Sequence, residues 1–147
     1  MDELVNKIGQ LDNDSKALKI EVDLRQAEAS NRIVAATREA FGESIDILVG
    51  NAGCELLRSL GSNSPEDFSY VYDLNVRAIS CMSKAVSKYL RSPGRIINVS
   101  SVGAQSGFKD LPPYCSSKAA VEVLIRCLAA ELGPKGHTVN AIESGPV

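Results

Sequence analysis

The chain has 147 residues, of which 44% are hydrophobic and 23% charged, the composition of one soluble globular domain. Its 16 basic and 18 acidic residues leave a formal net charge of -2, with no basic run or aromatic stacking series, which argues against a general electrostatic role on nucleic acid. No apolar stretch approaches the ~20 residues that span a bilayer, and 4 cysteines without metal-type spacing beside 1 histidine form no zinc constellation.

In chain order, residues 2 to 11 predict a short helix, and the acidic, polar sequence after Met1 lacks a basic and then apolar signal region, so the default location is cytoplasmic. Ala17-Leu18-Lys19-Ile20-Glu21-Val22 alternate as a strand that ends at Asp23. Arg25 to Phe41 carries helical apolar spacing in Ala29, Ile33, Ala36 and Ala40, with Gly42 placed as its C-terminal stop. Ile45 to Val49 is a second short strand, ending in the small-residue turn Gly50-Asn51-Ala52-Gly53. A loop follows through Leu60. Ser64-Pro65-Glu66-Asp67 then supplies a serine cap, a proline at the first helical position and a carboxylate in the first turn, opening a long helix that carries Asn75 and runs through Leu90.

The turn Ser92-Pro93-Gly94 sets off Arg95 to Ser100 as a buried strand closed by Ser101. Pro113 to Leu132 is helical again, stopped by Gly133 and Pro134, and His137 to Ile142 makes the last strand, with His137 near the surface at its start. The thiols of Cys54, Cys81, Cys115 and Cys127 read as reduced and mostly buried. Helices alternating with short apolar strands predict an α/β fold, a parallel sheet with helices on both faces. Without a repeat, low-complexity segment or linker, residues 1–147 read as a single domain.

Tyr114 and Lys118 stand four residues apart and so share one helix face. A cation beside a phenol favours the phenolate, which makes such a tyrosine able to give a proton to, or take one from, a substrate oxygen. In open α/β sheets ligands bind outside the carboxyl ends of the strands, which places Ser101 and the Asn51-Ala52-Gly53 turn on the rim where a substrate would sit. Glu55, Gln105 and Phe108 follow strand ends and are candidates to line a pocket; Cys115 and Ser117 read as packing.

These features in this order, Asn51-Ala52-Gly53 after a strand, Asn75 in the next helix, Ser101 after the next strand, and Tyr114 with Lys118, resemble the short-chain dehydrogenase/reductase family. Asn140-Ala141-Ile142 followed by Gly145 is similar to the family's stretch after its sixth strand, although the family's Pro-Gly pair is here Gly145-Pro146. The first motif position is Gly50, where the family usually has asparagine. The resemblance implies a partial doubly wound Rossmann-type sheet. It also implies an NAD(P)-dependent oxidoreductase interconverting a carbonyl and a secondary alcohol, with NADP(H) favoured over NAD(H). Tyr114 would be the general acid or base. Lys118 would tune it and hold the nicotinamide ribose, Ser101 would orient the substrate oxygen, and Asn75 would bend its helix around a water that leads from the lysine to solvent. Asp23, Asn51, Ala52 and Gly53 complete the cofactor contacts by resemblance, with Asn51 equally readable as bracing backbone and Asp23 as a turn former.

The family's amino-terminal strand, glycine-rich turn and first helix, and its carboxyl-terminal segment, have no counterpart in these residues, so the chain reads as an incomplete, fragment-like NAD(P)-binding domain. The expected partner is a small-molecule carbonyl or alcohol, without nucleic acid or membrane, in a homodimer or homotetramer if the full domain is present. The alternatives are a truncated, non-catalytic homologue that dimerises or binds a partner, and an incomplete gene product of a longer reductase.

Overall fold

The computed structural model describes residues 2–11 and 15–145. Helix α1 spans Asp2–Gly9, α2 Ala29–Phe41, strand β1 Ile45–Gly50, α3 Pro65–Tyr72, α4 Ala78–Ser87, β2 Leu90–Ser101, α5 Pro112–Leu132 and β3 Thr138–Ser144. The strands form one parallel sheet in the order β1-β2-β3, with Gly50 opposite Asn98 and Ser101 opposite Ser144. All three carboxyl ends therefore reach the same rim. Parallel neighbours need a crossover between them, and α3 with α4, then α5, supply it.

The core lies on one face of this sheet. Ile96 and Val139 point toward α4 and α5 and pack with Ile79, Val121, Ile125 and Leu132. Helix α2 joins at the β1 side, where Val34 meets Ala85 and Val86. On the opposite face Ile47, Val49 and Ile142 remain 57%, 58% and 55% exposed. Period-two alternation assigns these residues to one face and Leu48, Ile96 and Val139 to the other.

Local chemistry sets the helix boundaries. Ser64 accepts from the Asp67 N–H at 3.1 Å while the Asp67 carboxylate accepts from the Ser64 N–H at 3.3 Å, so the predicted start of α3 is a complete capping box with Pro65 at its first position. Gly42 ends α2 with φ of 102°, donating its N–H to Arg38 O at 2.9 Å. The long helix expected through Leu90 ends instead at Ser87 and is interrupted at Asp73–Arg77 by a π turn containing Asn75. Leu90 belongs to β2, and the Ser92-Pro93-Gly94 turn lies inside that strand as an irregularity opposite Ile45 to Ile47.

Several expectations change here. Ala17–Val22 forms no strand: residues 15–23 lie outside any ladder, because strand pairing needs a neighbour and β1 pairs with β2 alone among the described residues. Helix α2 begins at Ala29, after turns at residues 24–28. His137 is buried, 8% exposed, with its Nδ1 accepting from the Gly94 N–H at 3.1 Å, because the β2 irregularity needs an acceptor there. The cysteines are all free, but Cys81 and Cys127 face outward on α4 and α5, and only Cys115 is buried. Among the described residues no helix is long and apolar enough to cross a membrane.

Asn98 is buried at 1% exposure with neither amide atom hydrogen-bonded, and its Oδ1 fills the space in which any Cβ at position 50 would stand. Glycine at the first motif position thus accommodates the neighbouring strand's side chain. Ile96, fully buried on the central strand, should be a strong stability determinant. Ile96→Ala is expected to lower the unfolding free energy by about 2–5 kcal/mol, read as a lower urea midpoint at an unchanged slope.

Candidate active site

The rim formed by the strand ends meets the first turns of α5 in a cleft of about 250 Å³ lined by Asn51, Gly53, Cys54, Glu55, Tyr114, Lys118 and Ser144, among others. Pro112 and Pro113 open α5, so Tyr114 stands in the first turn and Lys118 one turn on, on the same face. The Lys118 ammonium lies 5.8 Å from the centroid of the Tyr114 ring and donates to Val99 O at 2.8 Å. Lys118 is only 5% exposed. Burial pushes the ammonium below the usual lysine range, with the neighbouring Cys54 acting in the opposite direction. The Tyr114 hydroxyl makes no hydrogen bond to any described residue.

Ser101 ends β2, buried at 7% exposure, and its Oγ accepts from the Gly103 N–H at 3.1 Å. A hydroxyl has one hydrogen and two lone pairs, so this contact leaves the Ser101 hydrogen without an acceptor among the described residues. Gly103, which the sequence did not single out, lies between serine and phenol. A Cβ there would stand 3.3 Å from Cys115 Sγ, 3.4 Å from Ser101 Oγ and 3.5 Å from Tyr114 Cε1. Gly53 plays the same part on the facing loop, where a Cβ would lie 3.3 Å from Asn75 Oδ1 and 3.5 Å from Lys118 Nζ.

Asn75 is fully buried, and its amide is committed to structure. Its Oδ1 accepts from the Cys54 N–H, while Nδ2 donates to Cys54 O and to Ser117 Oγ, each at 2.9 Å. Both amide hydrogens are thus occupied by the protein itself. Asn51, Ala52 and Gly53 are exposed along the rim, and the Asn51 side chain braces no backbone among the described residues. Asp23 sits apart from this cluster in a turn, its carboxylate accepting from the Arg25 N–H at 2.9 Å, a contact that holds it below the usual carboxylate range. Arg25 in turn lies over the Tyr70 ring, 4.3 Å from its centroid.

Of the secondary candidates, Glu55 lines the cleft, Gln105 donates to Glu143 Oε1 at 2.6 Å and Phe108 is 45% exposed. Cys115 packs beneath Gly103, as expected. Ser117 does more than pack: it is 0% exposed and hydrogen-bonded on both sides. Spacing alone could have flagged it, since it directly precedes Lys118, but its partner Asn75 lies 42 residues away.

The family model for short chain dehydrogenases matches residues 1–147. The dehydrogenase OXI1 of Cochliobolus heterostrophus is 46% identical over 142 residues, covering 97% of this chain and 61% of that protein. A hydroxynaphthalene reductase of Aspergillus fumigatus is 37% identical over 127 residues, covering 86% of this chain and 46% of that protein. The crystal structure of a dehydrogenase/reductase from Sinorhizobium meliloti superposes with a TM-score of 0.92 at 35% identity, over 98% of this chain and 56% of that one. A short-chain dehydrogenase from Burkholderia cenocepacia, solved in complex with NADP, superposes with a TM-score of 0.90 at 34% identity, over 97% and 57%. The chain spans about half the length of these proteins.

The burial of Lys118 fixes the sign of a pH effect. Between its lowered native value and the ordinary lysine value of about 10.4, the unfolded chain holds a proton that the native chain has released, so stability rises with pH in that window. Lys118→Met should remove this contribution. The stability difference between wild type and variant should shift in favour of wild type as pH rises toward about 10.4, measured by urea unfolding at a series of alkaline pH values.

Proposed function

The chain belongs to the short-chain dehydrogenase family, and from that premise we propose that it is the catalytic part of an NAD(P)-dependent oxidoreductase interconverting a carbonyl and a secondary alcohol. The observation that carries this reading is an uncommitted Tyr114 hydroxyl in one cleft with the Lys118 ammonium, 5.8 Å from its ring, and, beside that ring at Gly103, a Ser101 hydroxyl whose hydrogen is free. In this reading residues 1–147 are one incomplete Rossmann-type domain.

The nicotinamide end of such a cofactor fits the residues present. Gly53 leaves open the space beside Lys118 that a side chain would fill, and Asn51 and Ala52 line the exposed rim next to it. The bound cofactor would supply or accept the hydride. Ser101 donates a hydrogen bond to the substrate oxygen and fixes its position. Tyr114 gives that oxygen a proton during reduction or removes one during oxidation. Lys118 supports the charge that develops on the phenol oxygen, and desolvation strengthens this electrostatic effect. Asn75 acts by holding the Cys54 backbone; a water path from Lys118 would run past its helix without using its committed amide hydrogens.

NADP(H) is favoured over NAD(H); the NADP bound by the Burkholderia cenocepacia relative supports that choice. Asp23 enters the reading as a contact for the adenine end. A partner-binding, non-catalytic role is the second reading, supported by Phe68 and Tyr70 on α3 and Val123 on α5, which stay 43%, 48% and 52% exposed. These helices are also the surfaces for a homodimer or homotetramer in the first reading.

Titration of NADPH and NADH against the folded chain, followed by cofactor fluorescence, should give saturable binding, tighter for NADPH. A folded chain that binds neither but self-associates in sedimentation would favour the second reading. In a form that turns over, Tyr114→Phe should abolish turnover while leaving cofactor binding nearly intact, whereas Lys118→Ala should weaken both. Retained activity in the phenylalanine variant would sink the acid-base assignment.

A further inference from the structure

We propose that Ser117 is a positioning residue that holds the loop after β1 at a fixed height against the turn carrying Tyr114 and Lys118; its catalytic meaning rests on the oxidoreductase reading above. Ser117 is fully buried between these two residues. Its Oγ donates to Tyr114 O at 2.7 Å and accepts from Asn75 Nδ2 at 2.9 Å. The hydroxyl has a single hydrogen, and the Tyr114 carbonyl takes it, so only its lone pairs face Asn75.

The polarity of the whole chain follows. Asn75 meets the Cys54 backbone with its oxygen on the N–H and its nitrogen on the carbonyl. Turning the amide over would set donor against donor and acceptor against acceptor, including an amide oxygen facing the lone pairs of Ser117. One arrangement therefore satisfies every group, and it runs without a break from Cys54 through Asn75 and Ser117 to Tyr114. It joins three segments distant in sequence: the rim loop, the π turn and the first turns of α5.

Its consequence lies in geometry rather than in contact with a reactant. Gly53, next to Cys54, lies against both Asn75 and Lys118, where a Cβ would stand 3.3 Å from Asn75 Oδ1 and 3.5 Å from Lys118 Nζ. A rim fixed to the phenol's own helix turn holds the two sides of the cleft in one spacing. Alanine at 117 would leave a buried Asn75 N–H without an acceptor, and an unmet buried donor costs more than an absent bond. The Asn75 amide would then be free to rock, and the Cys54 backbone with it.

The test compares Ser117→Ala with Ser117→Thr, which keeps the hydroxyl. Amide hydrogen exchange followed by NMR should accelerate about tenfold or more at Cys54 in the alanine variant while the Ile96 amide on β2 keeps its wild-type rate, and threonine should restore protection. Under turnover, kcat should fall about 10- to 100-fold with the cofactor KM nearly unchanged. Unchanged exchange at Cys54 overturns the proposal, as does equal acceleration at Cys54 and Ile96, which would mean general loss of stability. If the wild type turns over no carbonyl substrate, the oxidoreductase reading fails while the exchange result still decides the link through Ser117.

Discussion

Parallel pairing of β2 on both of its edges is the constraint from which the rest of the structure follows. With β1 and β3 running in the same direction on either side, all three carboxyl ends arrive at one rim, and the loops that leave them must share the same few ångströms of space. The pairing also fixes which residues face inward. Ile96 is fully buried because its position in the alternation points it at α4 and α5, and Val99, one face over, offers its carbonyl to Lys118. A shift of one residue would exchange the two faces and dismantle both the core and the site.

The crowding at that rim explains the glycines and the polar core. Gly53 and Gly103 sit where a Cβ would stand 3.3–3.5 Å from Asn75, Lys118, Cys115, Ser101 and Tyr114, so a side chain there would press on the site. The buried Asn75 would be costly alone, but each of its amide hydrogens has an acceptor and its oxygen a donor. The π turn at Asp73–Arg77 holds that side chain in line with Cys54 and Ser117. The candidate site and the fold thus draw on the same hydrogen bonds.

The β1 side of the sheet has a different character. Beyond β1 the described residues provide no further strand, Asn98 has no partner for its amide, and Leu24, Ile33, Leu48 and Met82 line an apolar space with it. The contrast between the two faces of the sheet is physical: the face toward α4 and α5 is covered, whereas Ile47, Val49 and Ile142 on the other stay exposed. The 17–22 segment alternates like a strand and still forms no ladder, because alternation prepares a face and only a neighbour supplies the hydrogen bonds.

Much of the site was legible in the sequence because its signals are local. Tyr114 and Lys118 declare their shared face by a spacing of four, Ser64 and Asp67 declare the start of α3 by reciprocal capping, and the Asn51-Ala52-Gly53 turn announces a strand end. Local spacing said nothing of contacts made across the chain. That Ser117 bridges Asn75 to Tyr114, that Gly103 sits between Ser101 and the phenol, and that His137 is buried under the β2 irregularity depend on segments tens of residues apart meeting in the fold. The sequence by itself determined the α/β class, the capped start of α3 and the shared helix face of Tyr114 and Lys118, since each rests on neighbouring residues. The π turn at Asn75 and the assignments of Ser117 and Gly103 were decided by tertiary structure, because a hydrogen bond or a close approach between distant residues exists only once the sheet and helices have packed.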